Sequence, residues 1–427
     1  MKKILIVSKF MHHVGGVETY IDWQARHLPK RGYECAFFGM AGNGAEPMES
    51  VQDDVFVSPH RSYSGNKRVV MMSAADSVYS PIVGRKLRQA IEEFRPDLVH
   101  FHGTCYQLTS SVALVAKRYK LPSVVTAHEY KFVCANQRLW NDHSNSPCLL
   151  CVGKTTLGKS RTILKESCVK GSRGASMLAA TEQIVSTANW RRLNPLIHAP
   201  SRYMLELLQR DAVSDNIVYN DLPWSKASGG AIADTEKLEF TVAYFGRLVS
   251  EKGVDRLLDV WPDVVAKCPR AILRIYGSGS EQPALEKKVR SIGDRSVHFM
   301  GRYRISDLSE IMSGVDVTVH PSIWAENSPY TVRESLQFGV PAIVSDQGGL
   351  PEMVSHLTGR VFDSSDFRTL VNALVDEYSE PRARSATLLD AVAERTVTDE
   401  QHLDALDSMY LKASELVLKA GRARHGQ

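Results

Sequence analysis

Residues 3–8 read KILIVS, a continuous apolar run with no alternation. Such a run belongs to a strand covered on both faces, as in a parallel sheet with helices above and below it. The residues after it narrow the fold further. Gly15 and Gly16 break the chain, and then Val17, Tyr20, Ile21, Ala25 and Leu28 recur on one face of a helix. The same alternation continues. ECAFF (34–38), DLVHFH (97–102) and SVVTA (123–127) read as strands. VGRKLRQAIEEF (83–94), stopped by Pro96, and LTSSVALVAKRY (108–119) read as helices. Strands alternating with helices predict an α/β fold built on a doubly wound parallel sheet.

QIVSTA (183–188), LIH (196–198) and NIVYN (216–220) read as further strands, and SRYMLELLQR (201–210) as a helix capped by Ser201. SKASGGAIADTEK (225–237) is small, polar and glycine-bearing, the best linker candidate in the chain. Beyond it the pattern restarts. FTVAYFG (240–246) is a buried strand, GRLVSEKG (246–253) its loop, and VDRLLDVWPDVV an amphipathic helix. AILRIYG (271–277) is the next strand, and VHFM (297–300) and VDVTV (315–319) follow, with helices at 281–291, 306–313 and 366–377. The predicted organisation is a first domain over 1–222, a second over 238–395, and a terminal helix within 396–427. That helix comes after a completed second sheet, so it is expected to pack back on the first domain.

Composition excludes several classes. With 43% hydrophobic and 23% charged residues the chain is not disordered. No apolar run approaches the roughly 18 residues of a membrane span. ILIV at the N-terminus is too short for the apolar core of a signal peptide, so seven cysteines predict a reducing cytoplasm. A net charge of +4 argues against a nucleic-acid partner.

Ligands of doubly wound sheets sit at the C-terminal ends of the strands. In the first half those ends carry His102-Gly103, His128-Glu129 and the Gly15-Gly16 loop. Each alone is as well explained by capping, packing or a turn; three together point to one shared site. In the second half Arg247 and Lys252 flank one strand-end loop, and Gly277-Ser278-Gly279 admits close backbone approach at another. The third is HPSIWAENSPYTVRESLQFGVPAIVSDQGGLPE (320–352). Here Glu326 and Glu334 flank a helix start, with Ser328 expected at the N-cap and Pro329 at the first helical position. Gly339 ends the helix and PAIVSD is the next buried strand. Backbone amides at such a start suit a phosphate, and the two carboxylates suit hydroxyl groups. Arg247 and Lys252 suit a departing diphosphate, which needs compensating charge rather than a proton.

One segment breaks the alternation. Cys134, Cys148, Cys151 and Cys168 lie within the irregular stretch 134–175 as C-x13-C-x2-C-x16-C. The spacing fits a structural zinc site or an iron–sulfur cluster, with four reduced thiols as the alternative. Lys154, Lys159, Arg161, Lys165, Lys170 and Arg173 stand there against Glu166. That basic stretch fits anionic lipid head groups or an anionic acceptor, and a solvated face is the commoner use of such a run.

GGVE (15–18), HE (128–129), GRLVSEKG (246–253) and Glu326-x7-Glu334 with its NSP insert, followed by FGVPAIVSDQGGLPE, resemble glycosyltransferase family 4. The resemblance runs from residue 3 to about 395 and is most specific over 240–352. It implies a GT-B fold, two Rossmann-like domains facing across a cleft. It implies a retaining transferase that moves a sugar from a nucleotide diphosphate sugar to a hydroxyl acceptor, a glycan, lipid-linked saccharide or small glycoside. No cofactor enters that catalysis, and front-face attack assisted by the departing phosphate leaves no protein nucleophile. By the same resemblance Arg247 and Lys252 meet the donor diphosphate, Glu326 the sugar and Glu334 the ribose. Gly15 and Gly16 form the loop that closes on the diphosphate, and His128 lies near the transferred sugar. Gly246, Gly277, Gly279, Asn327, Ser328 and Thr331 complete the expected donor contacts. The cysteine segment departs from the simplest members of the family. A sugar-nucleotide epimerase or a phosphorylase on the same fold would carry motifs absent here. A non-catalytic sugar-nucleotide-binding protein would be expected to lose Arg247, Lys252 or Glu326. A cytoplasmic enzyme is expected, with peripheral contact at the inner membrane face as a candidate partner surface.

Overall fold

The computed structural model describes residues 2–12, 15–40, 48, 50–51, 55–58, 75–104, 106–211, 213–224 and 239–425. The linker candidate at 225–237 lies outside them. The chain divides into two compact units, Met1–Leu222 with Asp399–Gln427, and Pro223–Thr398.

The first unit is built on parallel strands β1 (Lys2–Val7), β2 (Tyr33–Met40), β3 (Val55–Ser58), β4 (Leu98–Phe101) and β5 (Ser123–Thr126). A short antiparallel pair follows, β6 (Trp140–Asn141) with β7 (Ser146–Pro147), and then β8 (Leu196–Ala199) and β9 (Ile217–Tyr219) rejoin the sheet. The sheet order is β3-β2-β1-β4-β5-β8-β9. The apolar run of β1 is uninterrupted because both of its faces are covered. Leu5 and Val7 join one core with Val83, Leu87 and Val112, whereas Ile4 and Ile6 join another. The helix Asp399–His425 supplies that second core with Leu403, Leu406, Met409, Tyr410 and Ala413. Tyr33 Oη donates to Asp407 Oδ1 at 2.5 Å and Trp23 Nε1 to Asp399 Oδ1 at 2.7 Å, which fixes the helix along the sheet.

QIVSTA is not a strand. It lies inside the helix Arg173–Leu193, which Ser172 caps by accepting from the Ala175 amide. Ile, Val and Thr favour strands, but burial of Glu182, Gln183, Ser186, Asn189 and Trp190 follows helical spacing. Packing overrides the local preference. Asn189 Nδ2 donates to Ser110 Oγ at 3.0 Å, tying this helix to the start of the helix Ser111–Arg118.

The expected metal site is not supported either. Among the described residues no group of three or more His, Cys, Asp or Glu side chains is arranged to hold a metal ion. Cys134, Cys148, Cys151 and Cys168 are free thiols. Burial, and then the neighbouring cysteines, push the Cys151 and Cys168 thiols up to about 12. The segment is fixed by other means. Cys151 and Cys168 pack into a small core with Ala135, Ile163, Ala179 and Ala180. Asn136 Nδ2 donates to the carbonyls of Trp140 and Cys168, at 2.7 and 3.1 Å. Buried ion pairs join Lys131 to Glu182 and Lys159 to Asp211.

The second unit is one parallel sheet of β10 (Phe240–Phe245), β11 (Ala271–Tyr276), β12 (Val297–Gly301), β13 (Val317–His320), β14 (Ala342–Ser345) and β15 (Gly359–Phe362). Its order is β12-β11-β10-β13-β14-β15. In both sheets the winding reverses direction beside the first strand, between β1 and β4 and between β10 and β13. The crevice at the C-terminal edge of such a reversal is where doubly wound sheets bind ligands.

Candidate active site

In the second unit the loops after β10 and β13 meet at that reversal. Lys252 Nζ donates to Glu326 Oε1 at 2.5 Å. The same oxygen accepts from Ser322 Oγ at 2.7 Å and from Trp324 Nε1 at 3.0 Å. Burial raises the Glu326 carboxyl, but the Lys252 ammonium and these three donors outweigh it and hold the group below its ordinary value. Glu326 is therefore an ionised carboxylate held rigidly in a buried position. Lys252 also stands over the Trp324 ring, 5.6 Å from its centroid. Arg247, by contrast, is exposed at the end of β10.

The backbone of Glu326 is held as firmly as its side chain. It bridges to Gly348, and the Gly349 amide donates to the Glu326 carbonyl at 2.7 Å. Gly348 has φ +64, and a Cβ there would lie 2.2 Å from that carbonyl oxygen. Only glycine fits.

Gly277 and Gly279 also mark a close backbone approach, but the partner is protein. A Cβ on Gly277 would meet the Gly246 carbonyl at 1.8 Å, and one on Gly279 the Leu248 carbonyl at 2.1 Å. The loops after β10 and β11 pack backbone to backbone, with Leu248 donating to the Ser278 carbonyl at 3.0 Å. These glycines set the position of Arg247 through the loop that carries it.

The helix that starts between the two glutamates is Tyr330–Gln337, with Pro329 at the N-cap. Ser328 thus lies one residue outside the position expected for it. Pro329 has extended ψ (132°), so the helix begins only at Tyr330. Ser328 Oγ instead accepts from Arg333 Nη2, and no side chain caps the helix. Amides of an uncapped first turn are the groups an anion binds. Asn327 is half-buried beside this start. Thr331 approaches His320 Nδ1 at 3.5 Å. Burial pushes His320 down to about 3, with smaller opposed effects of Glu326 and Lys252. Glu334 is half-buried one turn further on, and burial raises its carboxyl to about 7. The Tyr303 hydroxyl is raised by burial and then by the nearby Glu334 charge.

The first unit presents histidines. His102 Nδ1 and His128 Nε2 lie 3.1 Å apart at the ends of β4 and β5. Tyr20, from the helix Gly16–His27, stacks edge-on to both rings at 5.6 Å. The helix that follows β1 thus packs against the ends of β4 and β5. Burial lowers all four of His100, His102, His128 and His198, His128 to about 3 and His198 to about 4. Both rings of the His102–His128 pair are neutral, and one proton bridges them. Gly15 is the N-cap of this helix and Gly16 its first residue. Glu18 Oε2 accepts from the Gly15 amide at 2.8 Å. Burial, and to a lesser extent the charge of Glu129, raise the Glu18 carboxyl to about 7.

Sequence reasoning missed Ser322, Trp324, Gly348 and Glu18 as site residues. The first two were signalled: Ser322, Trp324 and Glu326 have the two-residue spacing that puts side chains on one side of an extended chain.

Two Rossmann-like parallel-sheet units, each with polar side chains gathered at its reversal point, are those of the GT-B fold, and solved structures agree on it. Sucrose-phosphate synthase from Thermosynechococcus elongatus matches over 99% of this chain and all of that one, with 17% identity and a TM-score of 0.66. Anabaena HepE in complex with UDP and glucose matches over 96% of this chain and all of that one, with 16% identity and a TM-score of 0.61. The profile for "Glycosyl transferases group 1" matches residues 239–379, and that for "Glycosyltransferase Family 4" matches 14–152. The chain belongs to glycosyltransferase family 4. Among curated relatives, a GDP-mannose-dependent monoacylated alpha-(1-6)-phosphatidylinositol monomannoside mannosyltransferase of Corynebacterium glutamicum is 32% identical over 36% of this chain and 43% of that protein. The chain thus spans less than half the length of that relative. D-inositol 3-phosphate glycosyltransferase of Mycobacterium marinum is 24% identical over 93% of this chain and 81% of that protein. Among the described residues no helix is long and apolar enough to cross a membrane.

Proposed function

We propose that this glycosyltransferase is a retaining enzyme that takes a sugar from a nucleotide diphosphate donor and places it on a hydroxyl acceptor. The observation that carries the proposal is the Lys252–Glu326 pair at the β10/β13 reversal, with Ser322 and Trp324 on the same carboxylate oxygen. Lys252 has three ammonium protons and Glu326 holds one, so a preorganised cation still has donors for a diphosphate. Arg247 adds a second cation and the first turn of the helix Tyr330–Gln337 adds amides. Ionised Glu334 accepts from ribose hydroxyls, and Glu326 holds the sugar.

In the reaction the bond from the anomeric carbon to the β-phosphate oxygen breaks and the nucleoside diphosphate leaves. The acceptor oxygen bonds the same face of the anomeric carbon, and its proton passes to the departing phosphate oxygen. Charge develops on the diphosphate, where Arg247 and Lys252 stand. His128, neutral and bonded to His102, serves as a hydrogen-bond partner of the sugar rather than as a cation.

The relatives support this reading. HepE was solved with UDP and glucose, and the Corynebacterium relative is named for GDP-mannose and a phosphatidylinositol mannoside. A glycan or lipid-linked saccharide is the acceptor class proposed, and a lipid-linked one brings peripheral contact with the inner membrane face. The test is incubation with UDP-, GDP-, ADP- and TDP-sugars, following donor cleavage and the anomeric configuration of the freshly released sugar by NMR. Cleavage of one donor class with retention is expected. Inversion, or cleavage of none, overturns the proposal.

A further inference from the structure

The described residues include sixteen large hydrophobic side chains that are exposed, and six of them fall between residues 149 and 184. They are Leu149, Leu150, Leu157, Leu164, Met177 and Ile184. The helices Thr156–Glu166 and Arg173–Leu193 pack against each other and bury Ile163, Ala179 and Ala180 between them and the cysteine core. Their outer faces are then expected to be polar. Instead Leu157 and Leu164 recur at one helical spacing, 68% and 47% exposed, and Met177 and Ile184 at the same spacing on the second helix. Isolated exposed aliphatics are ordinary, whereas a cluster marks an interaction surface.

Charge identifies the partner. Arg161 lies between Leu157 and Leu164 on the same face, and Lys165 beside it. Arg161, Lys165, Lys170 and Arg173 are all exposed, and none forms an ion pair with a described residue. The acids of this segment are Glu166 and Glu182, and Glu182 is consumed by the buried pair with Lys131. Aliphatic side chains interleaved with unpaired cations suit an anionic lipid surface, where the chains enter the acyl boundary and the cations stay at the head groups. A protein interface would instead be expected to centre on aromatic anchors, and this surface has none.

We propose that the outer surface of the two helices Thr156–Glu166 and Arg173–Leu193 docks on an anionic bilayer, with Leu157 and Leu164 inserted and Arg161 and Lys165 on the head groups. The inference names the surface for the lipid-side acceptor proposed above and rests on that reading only for its purpose. The binding itself needs no turnover.

The experiment is vesicle flotation of the full chain, with phosphatidylcholine alone and with phosphatidylglycerol added, at low and high salt. Binding only to the phosphatidylglycerol vesicles, weakened by salt, is expected. Leu157→Ser/Leu164→Ser and Arg161→Glu/Lys165→Glu should each weaken it by roughly tenfold or more. Ile305→Ser, which alters an exposed aliphatic of the other unit, should leave it unchanged. These positions are exposed, so unaltered melting of the variants verifies the fold. No binding, equal binding to phosphatidylcholine, or binding insensitive to the paired substitutions overturns the proposal, as does an acidic protein partner that requires Leu157 while vesicles are ignored. Retained donor cleavage in a variant that no longer floats separates this inference from the proposed reaction.

Discussion

Lys252 Nζ lies 2.5 Å from Glu326 Oε1, and Ser322 and Trp324 donate to that same oxygen. The cation proposed for the donor diphosphate and the carboxylate proposed for the sugar are thus one structural unit. Removing Lys252 leaves the buried Glu326 carboxylate with two neutral donors and without its cation. Lys252→Ala should destabilise the protein by about 3 kcal/mol, on the scale of breaking a buried pair. Lys252→Met/Glu326→Gln should restore much of that loss while donor turnover stays abolished. Urea melts of the single and double variants decide it; additive losses would mean that the pair is not coupled.

Glu334 gives a pH signature. Burial raises its carboxyl from 4.5 to about 7. The folded protein holds that proton where the unfolded chain has released it, so the contribution to stability is full below 4.5 and lost as pH rises through about 7. Glu334→Gln should therefore melt higher than the parent above neutrality and alike near the unfolded value. If the ionised carboxylate receives the ribose, donor affinity of the parent should also fall as pH drops through about 7, and this step should vanish in the variant. A flat affinity profile would remove Glu334 from the ribose.

The buried histidines act in the opposite direction. His100, His102, His128, His198 and His320 are all lowered by burial below their ordinary 6.5. As pH falls below 6.5 the unfolded chain takes up protons that the folded chain refuses, in the case of His128, His198 and His320 until about 3 to 4. Five such groups outweigh the raised Glu18 and Glu334. Stability should fall steadily from pH 6.5 toward 4, and unfolding at about pH 5 should absorb protons. Calorimetry in buffers of different ionisation enthalpy measures the uptake, and none would show that these rings are not held neutral.

Gly348 offers a purely steric test. Gly348→Ala places a methyl group 2.2 Å from the Glu326 carbonyl oxygen and forces a strained φ of +64. The bridge to Glu326 must yield, so donor turnover should fall by at least an order of magnitude. The cost in stability should be about 1–3 kcal/mol. Unchanged turnover would mean that the bridge does not position Glu326.

Much of this was legible in the sequence where one physical signal dominated. KILIVS announced a strand buried on both faces, and Ile4/Ile6 and Leu5/Val7 do face two different cores. The strand-end rule put Arg247, Lys252, Glu326, His102 and His128 in loops after strands, where they lie in the structure, because it depends on order along the chain alone. Three things escaped it. QIVSTA has strand-forming residues, and packing of its helix against the helices Ser111–Arg118 and Thr156–Glu166, outside the local sequence, overrides them. Cysteine spacing carries no information on how thiols are oriented, so C-x2-C suggested a metal where Cys151 and Cys168 pack into an apolar core. Gly277 and Gly279 promised a close approach without saying to what, and the partner is the neighbouring loop. The partnership of Lys252 with Glu326, 74 residues apart, is a property of the β10/β13 crossover and has no local signal.

The most direct test of the account is donor turnover by Arg247→Ala. Arg247 is exposed, so its removal should leave the melting temperature unchanged. If it stabilises the leaving diphosphate, turnover of the accepted nucleotide sugar should fall by roughly 10²-fold, the scale of losing one preorganised donor. Wild-type turnover in the folded variant would contradict the assignment of the β10 loop to the departing group.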